Sequence, residues 1–273
     1  MNKIILDNYE SITTTGHSSK GNQLKWKCGN NWYKADYMGY ESLSEVLVSK
    51  LLRFSNIHNF IDYEVAYLEY KGTTYIGCKS KNFLQENEEL VTLQKLFRQY
   101  TGKNLVQELL NFSEPEDKIM FVIENVIRFT HLENFGKYLS VLFTIDTLFL
   151  NEDRHTNNIA FIYNTQTNHY RLCPYFDYGL SLFADTTTDF SLNVPLEQCY
   201  EKIEAKPFCR SFDEQLDTIE FLFGNHIRFH FSIKDVQKIL DSFKGIYSGE
   251  ILKRVEQIMR LQIRKYQYLF STT

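Results

Sequence analysis

The chain has 273 residues, 43% of them hydrophobic and 15% aromatic, which is enough apolar mass for one large domain or two lobes and excludes a disordered chain. A formal net charge of -4 argues against a general nucleic-acid binder, and no direct nucleic-acid partner is expected. Five scattered cysteines (Cys28, Cys78, Cys173, Cys199 and Cys209) form no C-x-x-C pair, which excludes a disulfide framework or a zinc site and reads as reduced thiols.

Residues 1–10 carry one lysine and a short Ile4-Ile5-Leu6 patch, so no signal peptide is expected. The longest apolar run, residues 138–150, is interrupted by Asp146 and is too short to span a bilayer. The expected location is cytoplasmic, with no membrane partner.

Taken in order, residues 1–80 read as a β-rich lobe. Residues 11–23, SITTTGHSSKGNQ, are small and polar. Gly16 and Gly21 permit close backbone approach and Ser18 and Ser19 offer hydroxyls, so this stretch fits either a phosphate-cradling loop or a surface hairpin. Strands are predicted over 24–28 and 32–35, joined by the Gly29-Asn30-Asn31 turn, and Lys34 lies on the second. An amphipathic helix is then predicted from near Ser42, with Leu43, Val46, Leu47, Leu51 and Phe54 at helical spacing. Residues 61–69 and 73–78 alternate as two strands about a Lys71-Gly72 turn. At residues 77–82 the composition changes from β-like to helical, which sets the expected lobe boundary there.

Residues 81–273 read as a helical lobe. Ile119, Val122, Ile123, Val126 and Ile127 form one apolar stripe, and Tyr138, Leu139, Leu142, Ile145 and Phe149 the next. Ser211 opens a helix toward Phe223, Ser232 another toward Phe243, and residues 248–270 a long terminal one. Between the second stripe and Ser211 lies the most informative stretch, LFLNEDRHTNNIAFIYNTQTNHYRLCPYFDYGL. Asp153, Arg154 and His155 leave the helix, Asn158 follows, and 159–163 is a short buried strand. A polar turn over 164–168 returns the chain along 169–174 to Asp177. One hairpin thus gathers an acid, an amide and a second acid, the set that phosphoryl transfer uses to orient a hydroxyl and to hold metal on a triphosphate. Residues 177–207, with Asp185-Thr-Thr-Thr-Asp189, read as irregular.

D-R-H-x-x-N followed by a hairpin and F-D-x-G resembles the HipA-like bacterial serine/threonine kinases and, more distantly, the phosphoinositide lipid kinases. The resemblance covers the hairpin closely and extends over residues 16–82 and 205–216. It implies an α+β, two-lobed protein-kinase-like fold with a β-rich lobe (1–80) and a helical lobe (81–273), using ATP and Mg2+. On this reading Asp153, with Arg154 and His155, is catalytic, and Asn158 and Asp177 hold metal. Gly16, Ser18, Ser19, Gly21, Lys34 and a glutamate pairing with it face the nucleotide. Glu45 is the candidate partner and Glu41 the alternative. Cys78 and Ser80 stand at an adenine-reading hinge, and 185–189 at an activation or substrate loop.

The implied acceptor is a protein serine or threonine, including Ser18 or Ser19 of its own loop, and an antitoxin-type partner fits the family. A lipid or small-molecule kinase and a non-catalytic nucleotide-binding module stay open. Two departures stand out. The chain is shorter than full toxin-type HipA proteins, with no extra module expected before Ser11. The loop reads Lys20-Gly-Asn-Gln-Leu-Lys25 in place of Gly-x-Gln-x-Lys.

Overall fold

The computed structural model describes residues 3–11 and 23–270. In chain order they form β1 (Lys3–Ile5), β2 (Lys25–Cys28), β3 (Asn31–Ala35), α1 (Glu41–Leu52), β4 (Glu64–Tyr70), β5 (Thr73–Lys81) and β6 (Glu88–Thr92). Helices α2 (Leu93–Thr101), α3 (Leu105–Leu109), α4 (Pro115–Thr130) and α5 (Phe135–Phe149) follow, then β7 (Ala160–Asn164) and β8 (His169–Leu172). The chain ends with α6 (Leu196–Lys202), α7 (Phe212–Phe223), α8 (Ile233–Asp241) and α9 (Gly249–Lys265).

These residues divide into two compact units, one of residues 1–82, 177–203 and 228–273, the other of 83–176 and 204–227. The expected boundary near residue 80 falls beside the 82/83 division. Residues 177–203 and 228–273, expected in the helical lobe, instead group with the N-terminal sheet.

The first unit is built on a five-stranded sheet of order β1-β4-β5-β3-β2. Alternation sends Trp26, Tyr33, Ala35, Ala66 and Leu68 into one buried cluster with Leu6. Gly77 is required in β5, because a Cβ there would stand 2.5 Å from the Lys34 carbonyl oxygen. The strand runs on through Cys78 and Ser80 to Lys81, pairing with β3 as Lys34↔Cys78 and Trp32↔Ser80. Both residues expected at the hinge therefore lie within a strand. The polar run Lys79-Ser80-Lys81 read as a loop, but β3 supplies its ladder while β4 pairs no further than Lys79.

Helix α1 packs on β4, β5 and α8. All its polar residues except the half-buried Lys50 are buried with its apolar ones: Glu41, Ser42, Ser44, Glu45 and Ser49. The apolar stripe therefore described one face of a helix covered on all sides. Phe54, counted in that stripe, lies past the helix end and is 41% exposed. Gly39, just before α1, lets residue 185 form a bridge beside it, since a Cβ would meet the Ala184 carbonyl oxygen.

The second unit holds a three-stranded sheet of order β6-β7-β8, with α4 and α7 against α5, which is buried at every residue but Lys137. The expected hairpin is β7–β8, and β6 joins it as a third strand that the sequence reading did not include. The capping patterns at Ser211 and Ser232 open α7 and α8 as expected, and the terminal helix stops at Lys265. Helix α6 lies inside the stretch read as irregular. Among the described residues no helix is long and apolar enough to cross a membrane.

Candidate functional site

In the first unit, β3 carries Lys34 and α1 carries Glu45, and the chain after β8 brings Asp177 to both. Lys34 Nζ donates to Glu45 Oε1 at 2.5 Å and to Asp177 Oδ1 at 2.6 Å. The second Glu45 oxygen accepts from the Tyr178 backbone N–H at 2.9 Å, so one carboxylate holds both the lysine and the chain next to Asp177. Glu45 is 1% exposed and Lys34 13%, and the Tyr63 ring lies 5.4 Å from the ammonium. Burial alone would lower the Lys34 pKa, but Asp177 and then Glu45 outweigh it and hold the ammonium well above its ordinary value. Burial pushes the Glu45 carboxyl up, with Lys34 the largest opposing influence.

Asp177 has φ 65, a left-handed conformation that Asp tolerates better than most residues. Glu41, the alternative partner, does something else: it accepts from the backbone N–H groups of Tyr37 (3.1 Å), Met38 (2.6 Å) and Gly39 (3.0 Å). The loop at 185–189 is tied to the same turn, through the Thr186 and Thr187 N–H groups to the Met38 carbonyl at 3.0 and 3.1 Å, and is braced internally by Thr188 N–H to Asp185 Oδ1 at 2.9 Å.

In the second unit, the D-R-H-x-x-N segment leaves α5 through Leu150, whose φ of 55 turns the chain out of the helix. Asn158 Nδ2 donates to the Asp153 carbonyl at 2.9 Å and lies 3.4 Å from Asp153 Oδ2, which directs the amide oxygen away from the acid. His155 Nε2 is 3.7 Å from Asp153 Oδ2, and its Nδ1 accepts from the Asn157 N–H at 3.2 Å.

Arg154, expected among the catalytic residues, is fully buried. Its guanidinium grips Asp146 of α5 with two bonds, Nε to Oδ2 at 2.8 Å and Nη2 to Oδ1 at 3.0 Å. Its Nη1 donates to the carbonyls of Asn158 at 2.8 Å and Phe176 at 3.0 Å. Committed inside the protein in this way, it positions the segment and does not reach a substrate.

Two residues that sequence reasoning passed over belong here. In the sequence Asp146 shows only as a break in an apolar run, yet a carboxylate inside a buried helix signals a buried partner. Lys206 Nζ stands 4.0 Å from Asp153 Oδ1; it lies in the 205–216 stretch that the resemblance covers, which assigns it no role. Gly16, Ser18, Ser19 and Gly21 lie outside the described residues.

The donors present suit a hard divalent cation. In the first unit Asp177 offers oxygen, and Asp177 and Glu45 together exceed Lys34 by one negative charge.

No protein-family model matches the chain, and no curated protein does. Among solved structures, it is similar to a crystal structure of the Helicobacter pylori proinflammatory kinase CtkA. The TM-score is 0.62 and the identity 16%, with 97% of this chain and 95% of that chain covered. The likeness establishes an α+β, kinase-like fold for this chain.

Proposed function

We propose that this protein is an ATP- and Mg2+-dependent kinase of the HipA-like type that transfers the γ-phosphate to serine or threonine of a protein, its own Ser18 or Ser19 included. The observation that carries the reading is the Lys34–Glu45–Asp177 group, a strand lysine held between a helix glutamate and the aspartate of D-Y-G. That trio orients nucleotide phosphates and metal in kinases at large. The kinase-like fold supports it, as does the D-R-H-x-x-N segment with Asp153 and Asn158 fixed to one another.

In this reading the Lys34 ammonium would face the phosphates, held in place by Glu45, and Asp177 would be the carboxylate that holds the metal. Mg2+ would neutralise charge on the phosphate oxygens. Asp153 accepts or orients the acceptor hydroxyl proton. Arg154 acts through the segment it braces.

Calorimetric titration of ATP with and without Mg2+ tests the nucleotide half. Lys34→Met is expected to weaken ATP binding by about 10- to 100-fold, the worth of a charge-assisted contact. Asp177→Ala is expected to abolish the tightening that Mg2+ produces. Unchanged affinity in both variants would sink the assignment.

A further inference from the structure

Apart from these residues, the second unit carries a groove of about 300 Å³ lined by Glu89, Val91, Gln99, Tyr100, Tyr163 and Tyr170. Its floor follows from strand register. Glu89 pairs with Tyr163, and Tyr163 with Tyr170, so the three side chains form one row across β6, β7 and β8 on a single face. The opposite face, with Ile162 and Leu90, belongs to the buried cluster around Cys173. Alternation therefore turns this row toward the groove by necessity.

The aromatic walls are fixed in advance. Tyr163 and Tyr170 pack with ring centroids 4.8 Å apart, and the Tyr163 hydroxyl donates to Asn168 Oδ1 at 2.6 Å. Tyr100, 51% exposed, is stacked on Phe129 at 4.5 Å and 8°, while Arg128 covers Phe129 at 4.9 Å. Burial and then the Tyr100 hydroxyl hold the Tyr170 phenol above its ordinary value. Glu89 is exposed and makes no ion pair among the described residues.

We propose that this groove is a binding site for an arginine or lysine side chain of a basic peptide segment, the cation lying against the tyrosine faces with its charge met by Glu89. Neutral aromatic faces attract a cation through their quadrupole, and a carboxylate at the groove supplies the complementary charge. An apolar occupant would strip water from Glu89 and give nothing back, and a phosphate or nucleic acid would be repelled. Because the rings are already held by their neighbours, little side-chain freedom is lost on binding.

The site is independent of the kinase reading, and its test reads binding alone. A short, blocked, dye-labelled peptide carrying arginines is titrated with the full chain by fluorescence anisotropy, beside the same peptide with citrulline, which keeps the shape and removes the charge. The arginine peptide is expected to bind more tightly, with the difference shrinking as salt rises. Tyr100→Leu, which keeps apolar area but loses the ring, is expected to weaken binding by about two- to fivefold. Glu89→Gln, at an exposed position that should not disturb folding, is expected to remove most of the preference over citrulline. Equal binding of the two peptides, or an undiminished preference in Glu89→Gln, overturns the proposal. So does a single-stranded oligonucleotide that binds wild type better than the arginine peptide does and competes with it.

Discussion

Lys34 and Arg154 are both cations gripped by buried carboxylates, and their surroundings give them opposite roles. Lys34 keeps 13% of its side chain exposed and sits between two carboxylates, which leaves it room for the change of partner that the proposed nucleotide binding requires. Arg154 is fully buried and spends its donors on Asp146 and two main-chain carbonyls, one of them directly before Asp177. Removing one member of such a buried pair leaves an uncompensated charge. Arg154→Met is therefore expected to destabilise the fold by about 3–5 kcal/mol. Urea unfolding checks this, and a loss near zero would show that the strut carries no weight.

The two residues also differ in how far the sequence revealed them. The Lys34–Glu45 pair was legible through the family resemblance, which asks for a helix glutamate opposite the strand lysine and left Glu41 open as the alternative. The burial of Arg154 was not legible. D-R-H fixes the order of residues, not the direction each side chain takes, and the partner of Arg154 lies on the preceding helix.

At the scale of elements, the entry to α1 carries its own pH dependence. Tyr40 at the N-cap makes no side-chain capping bond, and Asp36 serves in its place by accepting from the Ser42 N–H at 2.7 Å. Its other oxygen accepts from the Tyr247 hydroxyl at 2.6 Å. Burial, and then Glu41, push the Asp36 carboxyl up to about 7. Between its ordinary value and about 7 the folded chain holds a proton that the unfolded chain has lost. Stability from this group is thus full at acid pH, falls as pH rises to about 7, and is level above. Asp36→Asn imitates the protonated acid, so the part of the slope between about pH 5 and 7 that Asp36 contributes is expected to flatten in urea midpoints. An identical slope in the variant would show that Asp36 does not titrate there.

Elements with strong local signals were the legible ones. The β7–β8 hairpin was marked by its polar turn, and α4, α5, α7 and α8 by apolar periodicity or capping. Strand β6 opens on two glutamates and takes its place only by pairing with β7, which no local pattern announces. Helix α6 is short and buries only Cys199, too little for a stripe to register.

For the whole molecule, the sequence pointed to an α+β, kinase-like fold, and the likeness to a solved kinase structure agrees. Composition changed near residue 80, but it could not say that the chain returns to the first unit twice more. That grouping depends on tertiary packing, such as α8 against α1 and Arg254 of α9 donating to the Ser191 carbonyl at 3.0 Å. Such contacts join residues distant in sequence and leave no local periodicity. Substrate lies further out of reach, since one fold serves many acceptors.

The most direct measurement of the proposed activity is therefore transfer itself. Purified protein is incubated with γ-labelled ATP and Mg2+, with and without cell extract, beside Asp153→Asn, which keeps the shape of the acid and removes the base. Label is expected on protein serine or threonine in wild type, at a rate about two to four orders of magnitude above the variant, while both bind nucleotide. Label in lipid extracts alone would move the acceptor to another class. Equal transfer by wild type and Asp153→Asn, or no transfer by a wild type that binds ATP and Mg2+, would contradict a kinase acting through Asp153.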